Sequence, residues 1–271
     1  MQTKDLKQQV RNFWNDRACG EVYAQGETPE QQLEAQARAR YTLEPSLRPF
    51  ARFVDGKGKD VLEIGVGMGA DHLEWARSEP TRLVGLDLTN RAVEITRQRL
   101  SLYGFPFQLI TADAEALPFS EASFDLVFSY GVLHHSPNTR EAIRELHRVL
   151  KPGGVCRIMI YQKYCIVGFM LWLRYAFFTF RPRRKLEQIY AEYLESPGTK
   201  AFTVDEARQM LHNFSEVQIK TELGPGDLLE GAVGQRHNSP LLLLAKQVWP
   251  RKLIRSVAKY VGMMMLIEAT K

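Results

Sequence analysis

Cysteine is scarce in this 271-residue chain: Cys19, Cys156 and Cys165 are odd in number, scattered and without CxxC spacing. A disulfide framework needs dense pairs and a structural zinc site needs clustered thiolates, so neither is expected, and no metal enters the expected site. No apolar run reaches the roughly 18 residues that a bilayer-spanning helix requires. The opening MQTKDLKQQVRNFW is polar and charged, unlike a signal peptide. These absences point to the reducing cytoplasm, with contact at most peripheral to the inner face of the membrane. Internal repeats and low-complexity tracts are missing too. What is present, 45% hydrophobic and 25% charged residues, matches an ordinary globular protein and excludes a disordered chain or a fibre.

The net charge of +5 is unevenly spread. Residues 164–185 carry Arg174, Arg181, Arg183, Arg184 and Lys185, and residues 231–267 carry Arg236, Lys246, Arg251, Lys252, Arg255 and Lys259. Neither segment holds an acid, so the remainder of the chain is acidic.

Residues 1–55 read as a polar, helical N-terminal cap. From 56 to 161 short apolar runs alternate with amphipathic helices: KDVLEIGVG, RLVGLDL, FQLITADA, FDLVFSYGVLHH and GGVCRIMIY read as strands. Between them, TNRAVEITRQRLSLYG places Ala92, Val93, Thr96, Leu100 and Tyr103 on one stripe and ends on Gly104. In NTREAIRELHRVL, Asn138 and Glu141 have capping-box spacing. Such alternation implies βαβ units and a parallel sheet covered on both faces. Residues 162–200 form an aromatic and basic insert. Residues 201–271 begin with a helix capped by Thr203 and Glu206 and running to Phe214. They close with the strands EVQIKTEL and GMMMLIEAT, which bracket a basic helical insert at about 223–261.

In VLEIGVGMGAD, Gly65, Gly67 and Gly69 follow a strand and open a helix, where backbone can approach a ligand and unpaired N–H groups face it. Asp87 ends the next strand, placed to accept from both ribose hydroxyls. An NAD-dependent dehydrogenase shares both features. The wider pattern discriminates: Glu63 before the glycines, Asp113 in TADAEALPF, Asp125 opening the fourth strand, and KPGG before the fifth. Over about 60–161 the chain resembles the class I S-adenosylmethionine-dependent methyltransferases, in the small-molecule branch that includes quinone and sterol methylators.

That resemblance implies an α/β, Rossmann-like doubly wound sheet of seven strands with an antiparallel last strand. It also implies S-adenosylmethionine as cofactor. By position, Glu63 and the backbone of Gly65, Val66 and Gly67 would hold the methionine end, and Asp87 the ribose, with Leu88 against the adenine. Asp113 and the Ala114 N–H would read the adenine edge, and Ser129 and Tyr130 would face the sulfonium. A flexible N-terminal helix closes over the cofactor in related enzymes, which makes Trp14, Tyr23, Arg40 and Tyr41 candidates for that role.

His134 and His135 sit beyond the fourth strand, at the sheet edge where open α/β folds bind ligands. One of them is a candidate general base or holder of a substrate oxygen; the alternative is that they merely brace the loop. Arg236 and His237 fall in a polar turn. The segments 164–185 and 241–261 combine aromatics with cations, and Phe169, Trp172, Leu173 and Phe177 can share one helical face. Three readings remain open for these segments: a substrate cap, a peripheral membrane contact, or a nucleic-acid surface, the last disfavoured by the aliphatic character. The expected activity is methyl transfer to a small, lipophilic or amphipathic acceptor at O, N or C. The alternatives are a non-enzymatic cofactor-binding scaffold or an RNA methyltransferase.

Overall fold

A computed structural model describes residues 3–231, 246–257 and 261–271. Seven strands form one sheet in the order β3-β2-β1-β4-β5-β7-β6. They are β1 (Asp60–Ile64), β2 (Arg82–Asp87), β3 (Gln108–Thr111), β4 (Phe124–Tyr130), β5 (Leu150–Tyr161), β6 (Glu216–Glu222) and β7 (Met264–Thr270). The first five pair in parallel, and β7 runs antiparallel to both β5 and β6, as the resemblance implies. Parallel pairing puts the carboxyl ends of β1 to β5 along one edge.

Helices cover both faces because alternate strand residues are apolar in both directions. On one face Leu62, Ile64, Val84 and Val127 pack against Ala142, Ile143 and Leu146 of α6 (Thr139–Val149) and Ala207 of α9 (Val204–Met210). On the other, Val61, Leu126, Phe128 and Met159 meet Trp75 of α4 (Ala70–Arg77) and Leu47 and Ala51 of α3 (Leu47–Ala51). The same cluster takes in Leu171 of α7 (Ile166–Trp172) and Ile189 and Tyr190 of α8 (Leu186–Tyr193). In α5 (Asn90–Leu102) the buried stripe contains the expected Ala92, Val93, Thr96 and Leu100, and Gly104 takes φ +69° just beyond it.

Local signals act where expected. Thr203 and Glu206 form both halves of a capping box on α9, whereas Asn138 caps α6 through its own side chain accepting from the Glu141 N–H. The helix after Thr203 ends at Met210, not Phe214. Its last apolar residues, Leu211 and Phe214, are buried against the sheet from a turn instead.

The N-terminal segment folds as α1 (Thr3–Asp16), α2 (Pro29–Leu43) and α3, and buried arginines fasten it to the sheet. Arg157 of β5 pairs with Glu268 at 2.6 Å and with Asp55, and donates to the Ala51 carbonyl. Arg99 of α5 donates to the Met68 carbonyl and to Gln36 of α2, at 2.7 and 2.6 Å.

In the first basic insert the helical spacing expected of Phe169, Trp172, Leu173 and Phe177 is interrupted between Trp172 and Phe177. After α7 the backbone widens into a π-helical turn over Leu173–Phe177, which rotates the later side chains. Val167, Gly168, Leu171 and Ala176 become the buried stripe, while Phe169 and Phe177 face solvent and Trp172 and Leu173 are half-buried. The second insert contains α10 (Arg251–Val257), whose Arg251 donates to the Leu229 carbonyl at 3.3 Å. Asp227 joins the two inserts by accepting from the Val167, Gly224 and Met263 N–H groups, and its carbonyl accepts from Trp249 Nε1. Residues 241–245 and 258–260, and the Arg236–His237 turn, lie outside the described residues. Among the described residues no helix is long and apolar enough to cross a membrane.

Candidate active site

A cavity of about 230 Å³ opens at the carboxyl edge of β1 to β5, under α1 and α2. Strand order arranges its lining. Asp113 and Ala114 follow β3, Asp87 ends β2 with Leu88 next, and Gly65, Val66 and Gly67 follow β1. Beyond them lie Tyr130 at the end of β4 and Met159 and Tyr161 of β5. The polar, ribose-competent end and the aromatic end are therefore opposite.

The glycine turn is built for close approach. Gly65, Gly67 and Gly69 all take positive φ, +84°, +53° and +74°. A Cβ on Gly65 would lie 2.1 Å from Val132, whereas one on Gly67 would meet nothing within 4 Å. Asp87 sets the turn: its carboxylate accepts from the Gly67 N–H at 3.2 Å and from the Thr89 N–H and hydroxyl at 2.9 Å each. Burial pushes its pKa up, and those three bonds partly offset the shift. The positions that S-adenosylmethionine requires are thus present: open backbone at Gly67, a carboxylate at a strand end, and an elongated cavity continuing to Asp113 and Leu88.

The remaining candidates divide by placement. Trp14, Arg40, Tyr130 and His135 line the cavity; Glu63, Ser129, His134 and Tyr23 do not. Glu63 points behind the turn into a buried pair with His72, Oε2 to Nδ1 at 2.8 Å. Burial raises the Glu63 pKa well above the usual carboxylate range and pushes His72 down to about 3. The pair therefore carries one proton and no net charge, and it stiffens the turn rather than meeting a ligand. The Ser129 hydroxyl is used up on the Ile64 carbonyl at 3.0 Å, tying β4 to β1. Tyr23 lies against Gly231, where an added Cβ would come within 2.6 Å of its hydroxyl. His134 is fully buried and stacks on Tyr161 with ring centroids 3.7 Å apart. Burial, with His135 and Lys200 nearby, holds it neutral. Tyr41 donates to Asp71 at 3.0 Å.

Several residues of the site were missed, among them Asp71, Lys7, Val10 and Glu195, whereas Arg40 and Trp14 were expected. Arg40 makes a forked pair with Asp71, 3.1 and 2.5 Å, the geometry that suits a guanidinium and a carboxylate. Burial would lower the Arg40 pKa, but Asp71 and Glu44 reverse the shift. Lys7 of α1 reaches across to Asp113 and Glu115 at 2.5 and 2.6 Å, so the proposed adenine-reading carboxylate already has a cationic partner. Lys7, Val10 and Trp14, spaced one helical face apart, all line the cavity; that spacing was the available signal. Trp14 sets its ring edge against His135, centroids 5.1 Å apart. Glu195, from the ESPGTK loop, also lines the cavity and accepts from the Tyr161 hydroxyl at 3.0 Å. Nothing in its local sequence marks it. Among the described residues one group has metal-ligand composition, His134, His135 and Glu195, with one atom of each within 4.8 Å of the others.

Residues 62–158 match a family model described as a methyltransferase domain. The phthiotriol/phenolphthiotriol dimycocerosates methyltransferase of Mycobacterium tuberculosis is 34% identical over 151 residues, 54% of each chain. The fatty-acid O-methyltransferase of Mycolicibacterium smegmatis is 37% identical over 101 residues, 37% of this chain and 36% of that one. The chain thus spans about half or less of these relatives. Among solved structures, Haemonchus contortus phosphoethanolamine N-methyltransferase 2, in complex with phosphomonomethylethanolamine and S-adenosylhomocysteine, superposes with a TM-score of 0.60. That match, at 16% identity, covers 97% of this chain and 60% of the other, and shows the shared fold.

Proposed function

We propose that this chain, which carries a class I S-adenosylmethionine-dependent methyltransferase domain, transfers a methyl group to a small lipophilic acceptor. The carrying observation is the succession along one sheet edge of open glycine turn, Asp87, and an aromatic end formed by Tyr130, Met159 and Tyr161. S-adenosylmethionine supplies a methyl group on a sulfonium, electrophilic enough that catalysis is chiefly positioning. Asp87 would take the ribose hydroxyls, Leu88 and Ala114 the adenine, and the Gly65–Gly67 backbone with Arg40 the amino-acid end. Trp14 and Val10 of α1 roof the cavity and exclude water.

Support for a lipophilic acceptor comes from two directions. The mycobacterial relatives carry lipid substrates in their names. On this chain, the first insert leaves Tyr164, Phe169, Phe177, Phe178 and Phe180 exposed, the last at 94%. Exposed Arg174, Arg181, Arg183 and Lys185 stand among them. Large exposed aromatics interleaved with cations fit the interfacial zone of an anionic membrane, where rings enter the acyl boundary and cations meet phosphate. We read this face as the peripheral membrane contact through which the acceptor is drawn; Val248 and Leu253 of the second insert are exposed as well.

Titration calorimetry with S-adenosylhomocysteine tests the cofactor assignment: Asp87→Ala weakens binding at least tenfold, and unchanged affinity would overturn it.

A further inference from the structure

We infer that Glu195, and not either histidine, takes the proton from the acceptor, and that the acceptor's reacting group is therefore a neutral hydroxyl rather than a carboxylate. The inference rests on the methyl-transfer reading above.

Both nitrogens of His135 are occupied by protein partners. The Thr199 hydroxyl donates to the Ser196 carbonyl at 2.7 Å, so toward its other neighbours Thr199 Oγ1 can only accept. His135 Nδ1 lies 2.9 Å from Ser196 Oγ and 3.1 Å from Thr199 Oγ1, and its Nε2 lies 3.2 Å from Glu195 Oε2. A proton on Nδ1 alone would turn the Nε2 lone pair toward a carboxylate oxygen. A proton on Nε2 faces that oxygen with the opposite polarity and leaves Nδ1 to accept from the Ser196 hydroxyl, with Thr199 Oγ1 then unpaired toward the ring; imidazolium donates to Thr199 as well as to Glu195. Protonated imidazolium also carries the Nε2 proton. In both states His135 has no lone pair to offer toward the cavity.

His134 is removed from contention by its full burial and its absence from the lining. Each of the other carboxylates at the cavity stands on the glycine turn or against a cation: Asp87 on the turn, Asp71 on Arg40, Asp113 on Lys7, and Glu44, whose buried Oε2 has no hydrogen-bond partner, 3.6 Å from Arg40. Glu195 remains. It stands at the aromatic end, its side chain 29% exposed, where topology puts the acceptor rather than the adenosine. Two donors, Tyr161 O–H and His135 Nε2–H, orient it, and Cys19 and Glu44 also sense its charge. Burial and the Glu195 charge raise the Tyr161 pKa well above its ordinary value, so the phenol stays a donor.

In the proposed step Glu195 accepts the hydroxyl proton while a lone pair of the acceptor oxygen forms the new O–C bond. The electrons of the broken S–C bond stay on sulfur, and Glu195 then releases its proton to solvent. An acceptor already present as a carboxylate needs no base and would be repelled by Glu195. The same three side chains could instead ligate a metal ion, but the nearby Lys200 cation, which already disfavours positive charge on His134, opposes a dication there.

The test uses the purified full chain with three probes, 4-nonylphenol, dodecanol and lauric acid, and labelled S-adenosylmethionine. Label is expected in the phenol or alcohol and not in the acid. Glu195→Gln, nearly isosteric, is expected to lower kcat by at least about 100-fold, the scale of general-base catalysis, with S-adenosylhomocysteine affinity unchanged. His135→Gln loses less. Independently of turnover, ¹⁵N NMR of the imidazoles should show His135 protonated at Nε2. Methylation of lauric acid that Glu195→Gln leaves intact, a His135 protonated only at Nδ1, or a stoichiometric transition metal in the purified protein would each overturn the inference. Failure of the wild-type chain to bind S-adenosylhomocysteine would instead overturn the underlying methyl-transfer reading. If none of the three probes is methylated, the NMR result decides.

Discussion

Alanine at Gly65 and alanine at Gly67 add the same single carbon two residues apart, yet they should fail in different ways. At Gly65 the added Cβ would sit 2.1 Å from Val132 Cγ2, with further contacts at 2.9 and 3.0 Å, in a backbone at φ +84°. The left-handed conformation costs a non-glycine residue about 1–2 kcal/mol, and overpacking typically adds about 1–3 kcal/mol. Gly65→Ala should therefore lose about 2–5 kcal/mol. At Gly67 the Cβ meets no atom within 4 Å, so only the backbone term applies, about 1 kcal/mol. For a chain of this size that is a fall of roughly 2–4 °C in Tm, against several times as much for Gly65→Ala. Gly67 borders the cavity with its N–H already on Asp87, so its new methyl would intrude where the proposed placement puts the cofactor's amino-acid end. Thermal unfolding and calorimetry with S-adenosylhomocysteine separate the two. Gly67→Ala should stay folded and bind at least tenfold more weakly. Wild-type affinity in Gly67→Ala would refute the placement of the cofactor on this turn.

The Glu63–His72 pair predicts a pH signature. The Glu63 pKa is raised in the fold, so its contribution is full below the unfolded value of 4.5 and is lost as pH rises. That of His72 is lowered to about 3, so its contribution is full above 6.5 and is lost as pH falls. The sum is flat between these values and declines outside them by up to about 1.4 kcal/mol per pH unit. Urea unfolding of Glu63→Gln, compared with wild type at pH 5.5, 7.5 and 9, should show the alkaline decline removed; parallel curves would contradict a shared proton. For the membrane face, Phe178→Ser with Phe180→Ser should lower flotation with phosphatidylglycerol vesicles at least fivefold without changing Tm. Equal flotation would leave the first insert as a cap alone.

What could be read in advance was what is local or strand-periodic. The glycine turn, Asp87 two positions before the Thr89 cap, Gly104 beyond α5, and the Thr203–Glu206 box each depend on residues a few positions apart, and each stands where its spacing put it. Contacts made across the chain were invisible. Lys7 to Asp113 spans 106 positions and Arg40 to Asp71 spans 31, and no local pattern specifies such partners. Sequence could not say which of the two histidines serves the site: their rings lie 4.2 Å apart on one 3₁₀ turn, and burial alone separates them. His135 reached the cavity and His134 the core. In the first insert the spacing of Phe169, Trp172 and Phe177 was readable, the two phenylalanines facing solvent and Trp172 lying 6.0 Å from Phe177, whereas the π turn between them had no local signal.

The central claim is most directly tested by transfer of label from methyl-labelled S-adenosylmethionine into a cell extract, separated into organic, aqueous, nucleic-acid and protein fractions. Label in the organic fraction, lost with Asp87→Ala, is the predicted result; label confined to nucleic acid or protein would contradict it.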